Sequence, residues 1–286
     1  MPATQRFRSL RWGTWFVLLA AFWSPNARAA HLAPVTLEAW DAYTQAATAR
    51  MDERLRPGSS FLWIDQHPDS LAKVRAGEIV VAPAGPGIPR KVPSGLIHDW
   101  IGAVFVANAS LSDVLPVVRD YARYKELYHP SVIDSKVISS SEDTDQFSML
   151  LMNQALLLKT AFDSDYETSY VRVDARRLYS ISRSTRVQQV EDFGSPEQRV
   201  LGEGEGNGII WRLFAITRYQ ERDNGVYIEL EALGLSRDIP ASLRWLVDPV
   251  VRRISRSSLS TSLSQTAQAV RLHCELATRG TSQVSH

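Results

Sequence analysis

The 286 residues contain a single cysteine, Cys274. One thiol closes no internal disulfide, so stability must come from a packed core. Histidine is scarce too. His31, His67, His98, His129, His273 and His286 show no H-x-H or H-E-x-x-H spacing, so no metal site is expected. No G-x-S-x-G elbow is present, which disfavours a nucleophilic enzyme. The glycine-rich run 202–208 lacks the Gly-Lys-Ser/Thr ending of a phosphate loop, and Glu203 and Glu205 would repel phosphate. It reads as a flexible approach to a hairpin, and no cofactor is expected.

A charge excess of one sign is also missing. The formal net charge is +1. Without Arg6, Arg8, Arg11 and Arg28, which lie in a segment expected to be removed, 28 basic residues face 31 acidic ones, or −3. That excludes the electrostatic footprint of a nucleic-acid binder. A hydrophobic fraction of 44% and a charged fraction of 22% fit an ordinary globular protein.

Residues 1–29 read as a secretory signal. Arg6, Arg8 and Arg11 form a basic start, Thr14 to Trp23 is a short apolar run, and Ala27-Arg28-Ala29 is an A-x-A cleavage signal. The run is short for a membrane span. A periplasmic or secreted location follows as an expectation.

Residues 30–95 form an N-terminal helix and a connection. Leu37, Trp40, Ala47, Met51 and Leu55 fall at helical spacing within Pro34–Arg56, which ends at Pro57-Gly58. This helix is too apolar on one side to float free and should pack outside the main domain. Phe61–Ile64 and Glu78–Val81 are short apolar runs that read as strands or extended pieces. Pro83, Pro86, Pro89 and Pro93 then make a stiff, irregular link.

The main domain is expected over 96–272. His98–Ala107 alternates as a strand, and Leu111–Tyr128 reads as two short helices, with Ser112 or Asn108 as a cap. Val132–Ser141, Gln146–Leu158, Phe162–Val173 and Leu178–Val190 are four strand candidates. Gly208–Gln220 and Val226–Leu235 form a hairpin around Asp223-Asn224-Gly225. Its spacing places Arg218 opposite Glu231 and Gln220 opposite Glu229, as a charged ladder on a solvated face. Trp211, Leu213, Ala215, Tyr219, Ile228, Leu230 and Ala232 share the apolar face. Arg212, Arg218, Glu229 and Glu231 are the only acid–base candidates this pattern offers. Ser180, Ser182 and Ser184 lie on one face of a strand, which is either the solvent side or a floor kept small for a ligand. Asp238–Ala269 closes the chain as a long amphipathic helix with Pro249 inside it, and 273–286 reads as a flexible tail.

The order strand, two helices, about six strands, long C-terminal helix resembles the START-like, Bet v 1-like superfamily, which includes lipid-transport and polyketide cyclase/dehydrase proteins. The run Asp120-Tyr121-Ala122-Arg123-Tyr124-Lys125-Glu126-Leu127-Tyr128-His129-Pro130 and the run Ser236-Arg237-Asp238-Ile239-Pro240 are similar to it in wording. The resemblance covers Leu96 to Val270. It implies an α+β helix-grip fold, a curved antiparallel sheet wrapped over the C-terminal helix. It also implies a hydrophobic or amphipathic small molecule, lipids included, bound between sheet and helix. Expected cavity walls are Met149, Leu151, Trp211, Leu213, Tyr219, Ile228 and Leu230 on the sheet, with Leu243, Leu246 and Val250 on the helix. Two other readings stay open. One is a cyclase/dehydrase-type enzyme. The other is a protein with a filled core that docks on an envelope partner through its N-terminal helix.

The signal order generates the first test. N-terminal sequencing of exported protein should find a chain starting at Ala30; a chain starting at Met1 or Pro2 would refute it.

Overall fold

The computed structural model describes residues 32–155, 158–239 and 241–283, with side chains described except at 153–160, 240–248 and 280–283. The signal 1–29 lies outside the described residues.

Helix α1 (Pro34–Arg54) begins with a proline in its first turn, where no backbone N–H is missed. A 3₁₀ turn at Trp63–Gln66 and helix α2 (Pro68–Arg75) follow. Alternation does not predict either; the run Phe61–Ile64, expected as a strand or extended piece, enters the 3₁₀ turn at Trp63. Strands β1 (Val80–Pro83) and β2 (Arg90–Val92) flank the proline-rich link, and both pair with β3 (Gly95–Ala107). Helices α3 (Leu111–Val118) and α4 (Tyr124–Leu127) come next. Ser110, rather than Asn108 or Ser112, begins α3, and its N–H donates to Asp113 Oδ2 at 2.8 Å.

Strands β4 (Val132–Ser140), β5 (Thr144–Ala155), β6 (Leu158–Arg172) and β7 (Arg177–Glu191) then run in sequence, followed by the short β8 (Arg199–Val200). Strands β9 (Arg212–Arg222) and β10 (Gly225–Arg237) make the hairpin. Helix α5 (Ala241–Gln283) closes the chain, so 273–283, expected as a tail, is helical. All pairings are antiparallel, in the order β1-β3-β10-β9-β7-β6-β5-β4. This curved sheet with its long C-terminal helix is the α+β helix-grip fold.

The hairpin register differs from expectation by two residues. Asp223 and Asn224 take the turn, with φ of 56° and 57°, so Arg218 faces Glu229 and Gln220 faces Tyr227. Gly225 belongs to the strand, where a Cβ would collide with the Val106 carbonyl and the Phe105 ring. A two-residue slip keeps every side chain on its face, because the strand period is two.

Both faces of the central sheet are covered. On the inner face, Trp100, Val104, Tyr219 and Ile228 pack with Leu259, Leu263, Ala267 and Val270 of α5. A Cβ at Gly102 would sit 2.8 Å from Leu263 Cδ1, so glycine lets the helix approach the strand. On the outer face, Ile97, Ile216, Tyr227 and Leu233 pack with Trp40, Ala47 and Met51 of α1 and with Phe61, Leu62 and Ile64. The N-terminal segment is thus a third layer over the sheet.

Met51 is fully buried in that layer. Met51→Ala should cost about 2–5 kcal/mol in urea denaturation, the usual range for a buried methionine. A negligible cost would mean that α1 is not part of the core.

Candidate ligand-binding site

The inner face has a packed half and a half that is open among the described residues. Tyr219 and Ile228 are buried in the packed half, under Leu259 and Leu263, with Leu230 against them. Met149, Leu151 and Leu213 lie in the other half, partly buried around Tyr121, Phe147 and Tyr166. The side chains of Leu243 and Leu246 lie outside the described residues. Val250 is 39% exposed, so it is not enclosed as a wall. Trp211 belongs to the outer-face core with Phe214 and Leu235. It precedes β9, so the strand's alternation does not reach it.

The open half has a floor of small residues. Ala232 faces Ala215, Ala215 faces Ser182, and Ser182 faces Thr168 across four adjacent strands. Gly234 faces Leu213 one step along. Ala215, Ala232, Gly234, Ser182 and Ser184 are only partly buried although they lie on interior strands. A Cβ added at Gly234 would meet, among the described residues, only Leu213 Cδ2, at 3.7 Å. The serine row of β7 therefore lies on the inner face of the sheet, not the solvent side. Ser184 Oγ accepts the Leu213 N–H at 2.9 Å, and Thr168 donates to Ser182 Oγ at 2.8 Å.

Aromatic rings form the wall beyond this floor. Tyr121 stacks on Phe147 at 3.9 Å between centroids, and Phe147 on Tyr166 at 5.2 Å. The Tyr121 and Tyr170 hydroxyls are 2.6 Å apart, and Tyr124 donates to the Val118 carbonyl at 2.5 Å. Burial, then the neighbouring Tyr170, pushes the Tyr121 phenol above its usual range, so it stays neutral. Arg119 lies over the Tyr170 ring and holds the buried Asp145 at 2.8 and 2.9 Å. The hydroxyls of Ser164 and Tyr166 are buried; burial raises the Tyr166 phenol, and a hydrogen bond with Ser164 opposes that rise. Neither hydroxyl has a further partner among the described residues. An apolar space with a few polar groups can hold and orient an amphipathic molecule.

Ser164, Tyr166, Tyr121, Phe147 and Gly234 were missed in sequence. The only local signal was the alternation of serine with larger residues along β7, and glycine within an otherwise apolar strand.

The acid–base candidates of the hairpin lie elsewhere. Arg218, Glu229 and Glu231 point to the outer face under α1 and are 1%, 0% and 4% exposed, not solvated as expected. Arg218 donates to Glu229 Oε1 at 3.0 Å and to Glu231 Oε2 at 2.5 Å. The backbone N–H groups of Trp63 and Ile64 donate to Glu229 at 2.9 and 3.1 Å. Arg50 of α1 donates to Glu231 at 3.1 Å, and Tyr43 to Asp99 Oδ2 at 2.9 Å. Arg212, on the same face, pairs with Glu203 at 3.2 Å. Burial, then the charge of Glu231, raises Asp99 to about 7. Burial raises Glu229 despite Arg218. Burial also opposes ionisation of Glu231, but attraction from Arg218 and its hydrogen bonds with Arg218 and Arg50 outweigh it and leave Glu231 lowered.

No protein-family model and no curated protein matches the chain. Solved structures similar to it include a STAR-related lipid transfer protein from Xanthomonas axonopodis, at 17% identity over 68% of this chain and 97% of that one, TM-score 0.39. A START superfamily protein from Mycobacterium smegmatis matches at 8% identity over 62% and 97%, TM-score 0.38. The Zhui aromatase/cyclase from Streptomyces matches at 12% identity over 61% and 94%, TM-score 0.40. The fold assignment stands on strand order and helix placement; at these TM-scores the likenesses carry no argument about ligand or activity.

The buried cluster generates a pH test. Asp99 is neutral when folded up to about pH 7, whereas an unfolded aspartate ionises near 3.8. Its contribution is therefore present at low pH and lost as pH rises from about 4 to 7. Glu231 and Arg218 on the sheet and Arg50 and Tyr43 on α1 surround it. Asp99→Asn removes this titration and should gain stability over the wild type as pH rises from about 5 to 8. Glu229, raised by burial in the same direction, keeps some slope in both proteins. Parallel pH profiles in urea denaturation would show that Asp99 is ionised in the folded state throughout.

Proposed function

We propose that this chain is an exported binding protein that holds a hydrophobic or amphipathic small molecule, lipids included, against the inner face of its sheet. The occupied space is the open half between α5 and strands β5, β6, β7, β9 and β10. The observation that carries the reading is the room, among the described residues, over Gly234, on a floor of alanine and serine in the middle of a sheet whose other half is tightly packed. Protein interiors are close-packed with few voids, so a floor of small residues left uncovered is suited to an occupant. Met149, Leu151 and Leu213 supply apolar contact. Ser164 and Tyr166 supply the polar groups that would orient one end of the ligand. Export rests on the order of features within residues 1–29.

An enzyme of the cyclase type finds less support. Arg218, Glu229 and Glu231 face away from this space and are held in an ion cluster on the other side of the sheet.

Filling the room tests the proposal. Gly234→Val adds methyl groups where the nearest described atom is 3.7 Å from the new Cβ, and valine suits a strand. Gly234→Val and Leu213→Trp should both keep the wild-type melting temperature within a few degrees. Each should weaken binding of a fluorescent fatty acid about tenfold or more, a loss of about 1.4 kcal/mol. No probe binding by the wild type, or marked destabilisation by both variants, would point to a filled core and to the docking-protein reading.

A further inference from the structure

A second concavity lies on the other flank of α5, against the β1 edge of the sheet. This groove of ≈ 570 Å³ is lined by Val81, Pro83 and Trp100 on the strands and by Arg252, Arg253 and Arg256 on the helix, with Ser257, Ser260 and Thr261 continuing the helix side. Among the described residues none of the three guanidinium groups pairs with a carboxylate, whereas most other arginines near the sheet do. Arg252 and Arg256 are four positions apart and Arg253 and Arg256 three, so the like charges are neighbours on the helix surface. Such pairs cost a few tenths of a kcal/mol each when nothing neutralises them. The groove below is not polar throughout, because Trp100, Val81 and Pro83 form an apolar floor.

We propose that this groove binds the phosphate of an amphipathic phosphate ester, with the apolar part of the molecule on Trp100, Val81 and Pro83. The choice of phosphate follows from donor count. One guanidinium satisfies a carboxylate with two parallel hydrogen bonds, whereas three guanidiniums match an anion with three or four oxygens. The hydroxyls of Ser257, Ser260 and Thr261 add neutral donors on the same helix side. The site is separate from the open half of the inner face, and the proposal does not rest on the reading of that space.

The test uses the full mature chain and two probes. Flotation with phosphatidylcholine vesicles containing phosphatidylglycerol measures a headgroup presented by a bilayer, and calorimetry with glycerol phosphate measures a soluble ester. Binding of either probe is expected, and the probe that binds identifies the source. The triple variant Arg252→Gln, Arg253→Gln, Arg256→Gln should weaken that binding about tenfold or more. Ser260→Phe, which fills the groove and keeps every charge, should weaken it similarly. Circular dichroism checks that both variants remain folded. Binding to neither probe would overturn the proposal, as would an unaffected triple variant. So would binding that survives Ser260→Phe, because diffuse surface charge would then suffice. Oleate competing as well as glycerol phosphate would also overturn it, because the site would then not select phosphate.

Discussion

Arg218 is a guanidinium with 1% of its side chain exposed, on the second-last strand of a sheet. Removing such a charge from water costs several kcal/mol unless close partners replace the lost hydration. The fold supplies them from both sides. Glu229 and Glu231 come from the neighbouring strand, and Met51 Sδ of α1 accepts the third donor at 3.2 Å. The carboxylates are satisfied in turn by the backbone of the 3₁₀ turn at Trp63–Gln66 and by Arg50. So the N-terminal segment is not an appendage. It completes an ion cluster that the sheet cannot solvate alone, and in doing so it covers the apolar outer face.

That dependence explains what the sequence could and could not reveal. Trp40, Ala47 and Met51 announced an amphipathic α1 with nearly its observed bounds, and the order of strands and helices was readable from alternation and turns. What α1 covers was not, because Met51 and Arg218 meet across 167 positions of sequence. Alternating Arg and Glu look the same on a wet face and under a lid. The hairpin's two-residue slip arose because Asn224-Gly225 is a strong turn signal, yet Asp223-Asn224 takes the turn and Gly225 is needed for close strand approach. Face assignments survived it. Trp211 failed for a different reason, since period two holds only within a strand and β9 starts at Arg212.

The open half of the inner face follows from how α5 distributes its apolar side chains. Leu259, Leu263, Ala267 and Val270 recur at helical spacing and anchor the helix on β3 and β10, where Gly102 admits them. Toward its start the helix carries exposed Val250, Arg252 and Arg253. Among the described residues, the helix anchors on the sheet from Leu259 onward. Helical spacing alone identified the element, but could not tell which of its turns anchor it.

The position of β10 also has a consequence for how the molecule comes into being. It is the last strand in the chain and lies between β3 and β9, near the middle of the sheet order. Without it, the strands fall into two unjoined pieces, β1–β3 and β9–β4, each with an open edge. The sheet is completed only when residues 225–237 reach β3, more than a hundred positions upstream. Such distant pairing is slow to form. A nascent chain shorter than this lacks its central strand and stays an incomplete substrate for folding, with edges that invite pairing with other chains.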